Sequence, residues 1–292
     1  MEDYSAGHIT TDEAREVIGE LDRKLGGDQI RFYPGVGYRH LMVWKEGSER
    51  VYTTPPHDIS GKDVSPYLPE GEGAATILQL MEEARNILHD NPVNKKRTAA
   101  SKRPANAIWL WGQGRPISLP SFREKYGLNG SVISAVDLIK GMGITLGLSP
   151  VEVPGATGYL DTNYLGKAEY ALKELKTKDF VFVHVEAPDE ASHSGDVHNK
   201  IKAIEDFDAM VVKTMLEGTG QFGEYKIMVL PDHRTPIVKK THTSEPVPFA
   251  LCSSRNLLEN SRKSIGFSEE SAQRSGLFLE NGFDLMDFFI QN

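Results

Sequence analysis

Apolar side chains recur at helical spacing over residues 10–25, where Val17, Ile18, Leu21 and Leu25 fall on one stripe, so an amphipathic helix is expected there. Thr10 and Glu13 fit a capping box at its start, and Gly26 and Gly27 stop it. Two further runs, 29–33 and 38–44, flank Pro34, Gly35, Val36 and Gly37, whose turn chemistry predicts a hairpin. After a stretch rich in Pro, Gly and Asp, residues Ile77, Met81, Ala84 and Leu88 predict a second helix over 74–88. The polar, unpatterned run 91–104, with Lys95, Lys96, Arg97, Lys102 and Arg103, reads as a linker. Residues 1–104 are therefore expected to form a small α+β domain that ends in that linker.

Beyond it the pattern changes to alternating strands and helices. Strands are expected at 107–111, 131–136, 180–186, 226–230 and 247–252, with helices over 165–176 and 197–216 between them. The second helix puts Val197, Ile201, Ile204, Phe207, Val211 and Met215 on one face. Such alternation implies an α/β fold over 105–292, a mostly parallel sheet covered by helices on both faces, with ligands at the carboxyl ends of its strands.

Composition narrows the function. With 292 residues, 39% of them hydrophobic, the chain can bury a sizeable core. A net charge of −8, from 41 acidic and 33 basic side chains with no long basic block, argues against nucleic acid as a partner. No segment approaches the ~20 apolar residues that span a bilayer, so no membrane partner is expected. The single cysteine, Cys252, allows no disulfide within the chain and suits a reducing cytoplasm. The opening residues carry neither a basic nor an apolar signal region.

The chemistry sits at strand ends. The run 181–186 leads to Asp189 and His193, four apart, so one helical turn can aim both at a single ion. Asp232 and His233 follow the next apolar run, and His242 precedes a third. Adjacent side chains diverge, so Asp232 and His233 can serve different ions. Mixed Asp and His ligation suits Mn²⁺, Zn²⁺ or Fe²⁺ better than the all-oxygen shells of Ca²⁺ and Mg²⁺. Taken singly, each pair is more often a hydrogen-bonded surface pair than a ligand set; their joint placement at strand ends favours metal. His184, inside an apolar run, reads as a satisfied core histidine.

At these residues, and through Tyr4-Ser-Ala-Gly-His8, Gly35-Val-Gly-Tyr-Arg-His40, the run Asn106 to Gly114, the run Pro154 to Tyr164 and Pro231-Asp-His233, the chain resembles the archaeal-type 2,3-bisphosphoglycerate-independent phosphoglycerate mutases of the alkaline phosphatase superfamily. The resemblance implies an alkaline-phosphatase-like sheet and two divalent ions, Mn²⁺ foremost with Zn²⁺, Co²⁺ or Mg²⁺ as alternatives. Asp189, His193 and His242 would hold one ion, and Asp232 and His233 would hold the other with an Asp and a Ser from an amino-terminal region. It implies interconversion of 3- and 2-phosphoglycerate, a small phosphorylated carboxylate, through a metal-activated phosphoserine in the cytoplasm. The first core strand, the Asp and that Ser have no counterpart in this chain. Ser5, Ser60 and Ser65 do not sit in the nucleophile's setting, so the chain by itself is expected to be inactive and to bind one ion tightly. Arg31, Arg39 and His40 around the hairpin are the candidate cations for substrate, and Lys167 a candidate for its phosphate. The alternative for Arg31 and Arg39 is exposed strand charge, and for Lys167 a solvated helix position. Other readings of the chain are a phosphatase or phosphonate hydrolase of the same superfamily and a non-catalytic metal-binding fragment.

Overall fold

The capping box at Thr10 starts the first element of the structure, a computed structural model that describes residues 1–255 and 266–291. Helix α1 (Thr11–Leu25) begins where the Thr10 hydroxyl accepts from Glu13 N–H and the Glu13 carboxylate accepts from Thr10 N–H. Its buried face, Ala14, Val17, Ile18 and Leu21, packs against Phe32, Leu80, Ala84, Leu88 and Val93. Each large side chain buried there contributes at most about 1.5–3 kcal/mol. Strands β1 (Ile30–Pro34) and β2 (His40–Trp44) form the expected antiparallel hairpin, with Arg31 opposite Val43 and Pro34 opposite His40. Its turn is tied to α1 by Gly37, at φ +59°, whose N–H donates to the Thr11 hydroxyl. A two-residue pair, β3 (Val51–Tyr52) with β4 (Glu70–Gly71), precedes helix α2 (Ala74–His89).

The run expected to be a linker instead contains a helix, α3 (Pro92–Ala99). Asn91 caps it by accepting from the N–H groups of Val93 and Asn94, and Pro92 occupies its first turn. Its inward face is polar: Asn94 bonds Leu88 O, Ala105 O and Ala105 N, while Arg97 bonds Glu13, Ala6 O and Arg103 O. A helix that buries satisfied polar groups leaves no apolar period to read. Residues 107–111, expected as a strand, join no ladder. Ile108 and Leu110 lie against the cores of this region, and the Trp109 indole donates to Thr54 O. Consequently the chain divides into two compact units at Ile117/Ser118, later than the boundary at 104 that the polar run suggested.

The second unit alternates helices and strands. They are α4 (Phe122–Tyr126), β5 (Gly130–Ile133), α5 (Asp137–Thr145), β6 (Ser149–Val151), α6 (Tyr164–Glu174), β7 (Phe180–Val183), α7 (Ala187–Ser194) and α8 (Val197–Asp206). A π-helical turn (Phe207–Val212) leads into α9 (Lys213–Thr219), then β8 (Lys226–Val229), β9 (Ala250–Ser253), α10 (Glu269–Ser275) and α11 (Leu285–Gln291). Strands β6-β5-β7 form a parallel sheet centred on the wholly buried β5. Strands β8 and β9 pair with each other antiparallel, so among the described residues the expectation of a mostly parallel sheet holds for three of this unit's five strands. A loop rather than a crossover helix joins β8 to β9, and a direct return of this kind gives antiparallel pairing. The helical face expected over 197–216 is also split. Ala203 and Val211 are buried, with Phe207 and Met215 packed beside them, whereas Val197, Ile201 and Ile204 stay about half exposed. The extra residue in a π turn re-phases one half of a helix against the other. No helix among the described residues is long and apolar enough to cross a membrane.

Candidate metal centre

Two segments that follow strand ends build the site. After β7 the chain passes His184, Val185 and Glu186 into α7, whose first turn contains Pro188 and Asp189. A carboxylate is favoured at this end of a helix, and the four-residue spacing stacks His193 one turn above it. His193 Nε2 lies 3.0 Å from Asp189 Oδ2. The loop after β8 carries Asp232 and His233, and an isolated antiparallel bridge between Arg234 and Thr243 folds it back so that His242 returns beside them. The His233 and His242 rings are 3.8 Å apart between centroids. His242 Nε2 is 3.0 Å from His193 Nε2 and 3.4 Å from Asp189 Oδ1.

Asp189, His193 and His242 each offer a ligand atom, all within 4.8 Å of one another, and no other group of three such side chains does so among the described residues. Their hydrogen bonds say more than their proximity. His193 Nδ1 lies 2.9 Å from Lys240 O, and a carbonyl only accepts, so Nδ1 carries a proton, and in the neutral ring this leaves the lone pair on Nε2. Nε2 faces a second imidazole nitrogen and a carboxylate. Acceptors that converge in this way share either a proton or a cation, and a carboxylate with two imidazoles matches Mn²⁺, Zn²⁺ or Fe²⁺ chemistry. The donor set therefore fits a divalent ion. Asp232 is largely exposed and lies 3.4 Å from His233 Nε2, at the open side of the cluster.

His184 is partly buried, its side chain 15% exposed, and both ring nitrogens are bonded: Nδ1 meets the Ser134 hydroxyl at 3.1 Å and Nε2 meets Glu186 at 3.2 Å. Burial pushes its pKa down, while Asp232 and Asp189 nearby oppose the shift, which places it at the margin of the centre. Lys167 is fully buried, which overturns the solvated reading. Its ammonium donates to His184 O at 3.1 Å, and desolvation pulls its pKa down to about 8 against the attraction of Glu186. The cation expected to reach phosphate is directed at the backbone that leads into the centre.

The other candidate cations lie in the first unit. Arg31 is held by Asp22 through paired bonds of 2.7 and 2.9 Å, an arrangement that secures the hairpin to α1. Arg39 stacks over the Tyr38 ring at 4.5 Å. His40 accepts from Gly35 N–H at Nδ1, and desolvation of its ring lowers its pKa to about 4, although the residue as a whole is exposed. The hydroxyls of Ser5, Ser60 and Ser65 are each bonded within their own loops, to Asp3, to Pro56 O and to Asp63.

Two residues escaped the sequence reading. Thr235 is buried between Asp189 and His233, and Lys240, at φ +54°, aims its carbonyl at His193. Thr235 was findable, because two residues after His233 an extended chain returns to the same side. A backbone carbonyl leaves no such trace.

Residues 72–288 match the family model of the Metalloenzyme superfamily, and the chain belongs to that superfamily of divalent-metal enzymes. Residues 1–94 match the model of the 2,3-bisphosphoglycerate-independent phosphoglycerate mutases. A probable mutase of that name from Geobacter sulfurreducens is 51% identical over 290 residues, 99% of this chain and 72% of that protein. A mutase from Methanosarcina barkeri is 48% identical, across 100% of this chain and 73% of that protein. Among solved structures, a cofactor-independent phosphoglycerate mutase from Thermoplasma acidophilum superposes with a TM-score of 0.57 at 25% identity, covering 98% of this chain and 71% of that one. A Pyrococcus horikoshii protein shares the fold at a TM-score of 0.70 and 23% identity; this chain, 92% covered, spans 65% of that one. The chain belongs to the 2,3-bisphosphoglycerate-independent phosphoglycerate mutases, a family of isomerases.

Proposed function

We propose that this chain supplies the metal centre and substrate cations of an enzyme that interconverts 3- and 2-phosphoglycerate. Asp189, His193 and His242 would hold one divalent ion, and His233 with Asp232 would face a second. The observation that carries this reading is the convergence of Asp189, His193 and His242, with His193 Nε2 3.0 Å from both His242 Nε2 and Asp189 Oδ2. When bound, such ions act as Lewis acids toward phosphoryl oxygens and make a hydroxyl nucleophilic at neutral pH. Mn²⁺ is the best match to a mixed Asp and His set, with Zn²⁺, Co²⁺ and Mg²⁺ as alternatives.

The chain's own residues orient and balance charge. Lys240 O fixes the His193 tautomer. Lys167, buried against His184 O, places a positive charge behind the loop that precedes Asp189. In the first unit Arg39 is the strongest candidate for the substrate's phosphate or carboxylate, since Asp22 already engages Arg31 and desolvation disfavours the charged form of His40. Mutase names among the close relatives favour isomerisation over the phosphatase and phosphonate hydrolase alternatives.

The test is conversion of 3-phosphoglycerate to 2-phosphoglycerate without added bisphosphoglycerate, before and after chelation. Activity should vanish on chelation and return with Mn²⁺. Conversion that survives complete chelation would overturn the reading, and release of inorganic phosphate in place of the isomer would support the phosphatase.

A further inference from the structure

Thr235 is 6% exposed, and its single hydroxyl touches both halves of the centre: Oγ1 lies 2.5 Å from Asp189 Oδ1 and 3.2 Å from His233 Nδ1. The main chain there is anchored from α8, because Lys200 Nζ donates to Thr235 O at 3.0 Å. A hydroxyl has one proton to donate. An ionised carboxylate only accepts, so that proton goes to Asp189 and only oxygen lone pairs remain for the ring. His233 would then donate its own Nδ1 proton to that oxygen, and in the neutral ring this tautomer leaves the Nε2 lone pair available to a cation. Lys240 O sets His193 by the same logic, but that carbonyl serves one ring alone.

We propose that Thr235 is a positioning residue that ties the two ligand groups together. By donating to Asp189 and accepting from His233, one side chain orients the carboxylate of one group and sets the imidazole tautomer of the other. The bond to Asp189 also consumes one lone pair of Oδ1 and turns the carboxylate so that Oδ2 faces His193 Nε2 at 3.0 Å. Outer partners of this kind typically govern metal affinity by 10- to 100-fold. The inference rests on the reading of Asp189 and His233 as ligands.

The experiment compares Thr235→Val, which keeps the shape and removes the hydroxyl, with Thr235→Ser, which keeps the hydroxyl, and uses Asp189→Asn as a control on the full chain. Mn²⁺ binding is measured by calorimetry, and the His233 ring tautomer of the metal-free protein by ¹⁵N NMR. Thr235→Val should bind Mn²⁺ about 10- to 100-fold more weakly and lose the Nδ1–H signature of His233, while Thr235→Ser retains both. Wild-type affinity and tautomer in Thr235→Val, with Asp189→Asn weakened, would overturn the role of Thr235 and leave the ligand reading standing. Thr235→Ser as weak as Thr235→Val would likewise overturn it, since packing alone would then explain the loss. Wild-type affinity in Asp189→Asn would overturn both.

Discussion

Asp3 in the first unit and Asp189 in the second are carboxylates of nearly equal exposure, 19% and 21%, in opposite surroundings. Asp3 is saturated with donors: Ser5 N–H and hydroxyl, Gly7 N–H and the Arg103 guanidinium all point at it within 3.0 Å. Asp189 receives the Thr235 hydroxyl and otherwise faces the Nε2 atoms of His193 and His242. Burial alone therefore does not mark a functional acid. A carboxylate whose lone pairs are used by the fold holds the fold together, and one that the fold aims at other acceptors waits for a cation.

The largest effect that bears on this contrast is Asp189→Asn. Losing a direct charged ligand should cost Mn²⁺ affinity more than the roughly 100-fold upper end for an outer partner. The same change at the saturated site, Asp3→Asn, should leave Mn²⁺ affinity at the wild-type value. Calorimetry on both variants checks the pair, and equal losses at the two positions would erase the distinction.

Arg97 offers the next largest effect, on stability rather than on metal. Its side chain is 2% exposed and gives every donor group a partner: Nη1 to Glu13 at 2.6 Å, Nη2 to Ala6 O at 2.6 Å and Nε to Arg103 O at 2.9 Å. Arg97→Met should strand the Glu13 carboxylate and both carbonyls, at a cost of about 3–5 kcal/mol in urea unfolding. Arg97→Met combined with Glu13→Gln should recover part of that loss, because the uncompensated charge is gone. Mn²⁺ binding by the folded fraction should not change.

The same contrast explains how much was legible beforehand. Helix α1, the hairpin and the strands leading to the centre follow from apolar period and turn chemistry, which report how a face is buried. The convergence of Asp189, His193 and His242 was readable because residue type and strand-end position are both written in the sequence. Helix α3 was not, since Asn91, Asn94 and Arg97 are polar yet inward, and inwardness came from partners such as Glu13 that lie far away in the chain. Lys167 failed for the same reason: its burial depends on the carbonyl of His184. Exposed Val197, Ile201 and Ile204 err in the other direction, because the sequence shows an apolar stripe but not what packs on it.

The smallest effect is a pH dependence assigned to Asp3. Desolvation alone would raise its pKa, but the bonds from the Ser5 side chain and backbone, from Gly7 and from Arg103 outweigh it and bring the value down to about 2. In the unfolded chain the group titrates near 3.8. Between those values the unfolded state binds the proton more readily, so stability falls as pH falls. The contribution is fully present above about pH 4 and lost as pH drops through about 2, and its size is at most about 2 kcal/mol. Asp3→Asn should remove this segment of the stability–pH curve, measured by urea unfolding between about pH 2 and pH 5. A curve of unchanged slope in the variant would mean that the loop donors do not favour the ionised form, and the saturation that separates Asp3 from Asp189 would have no energetic content.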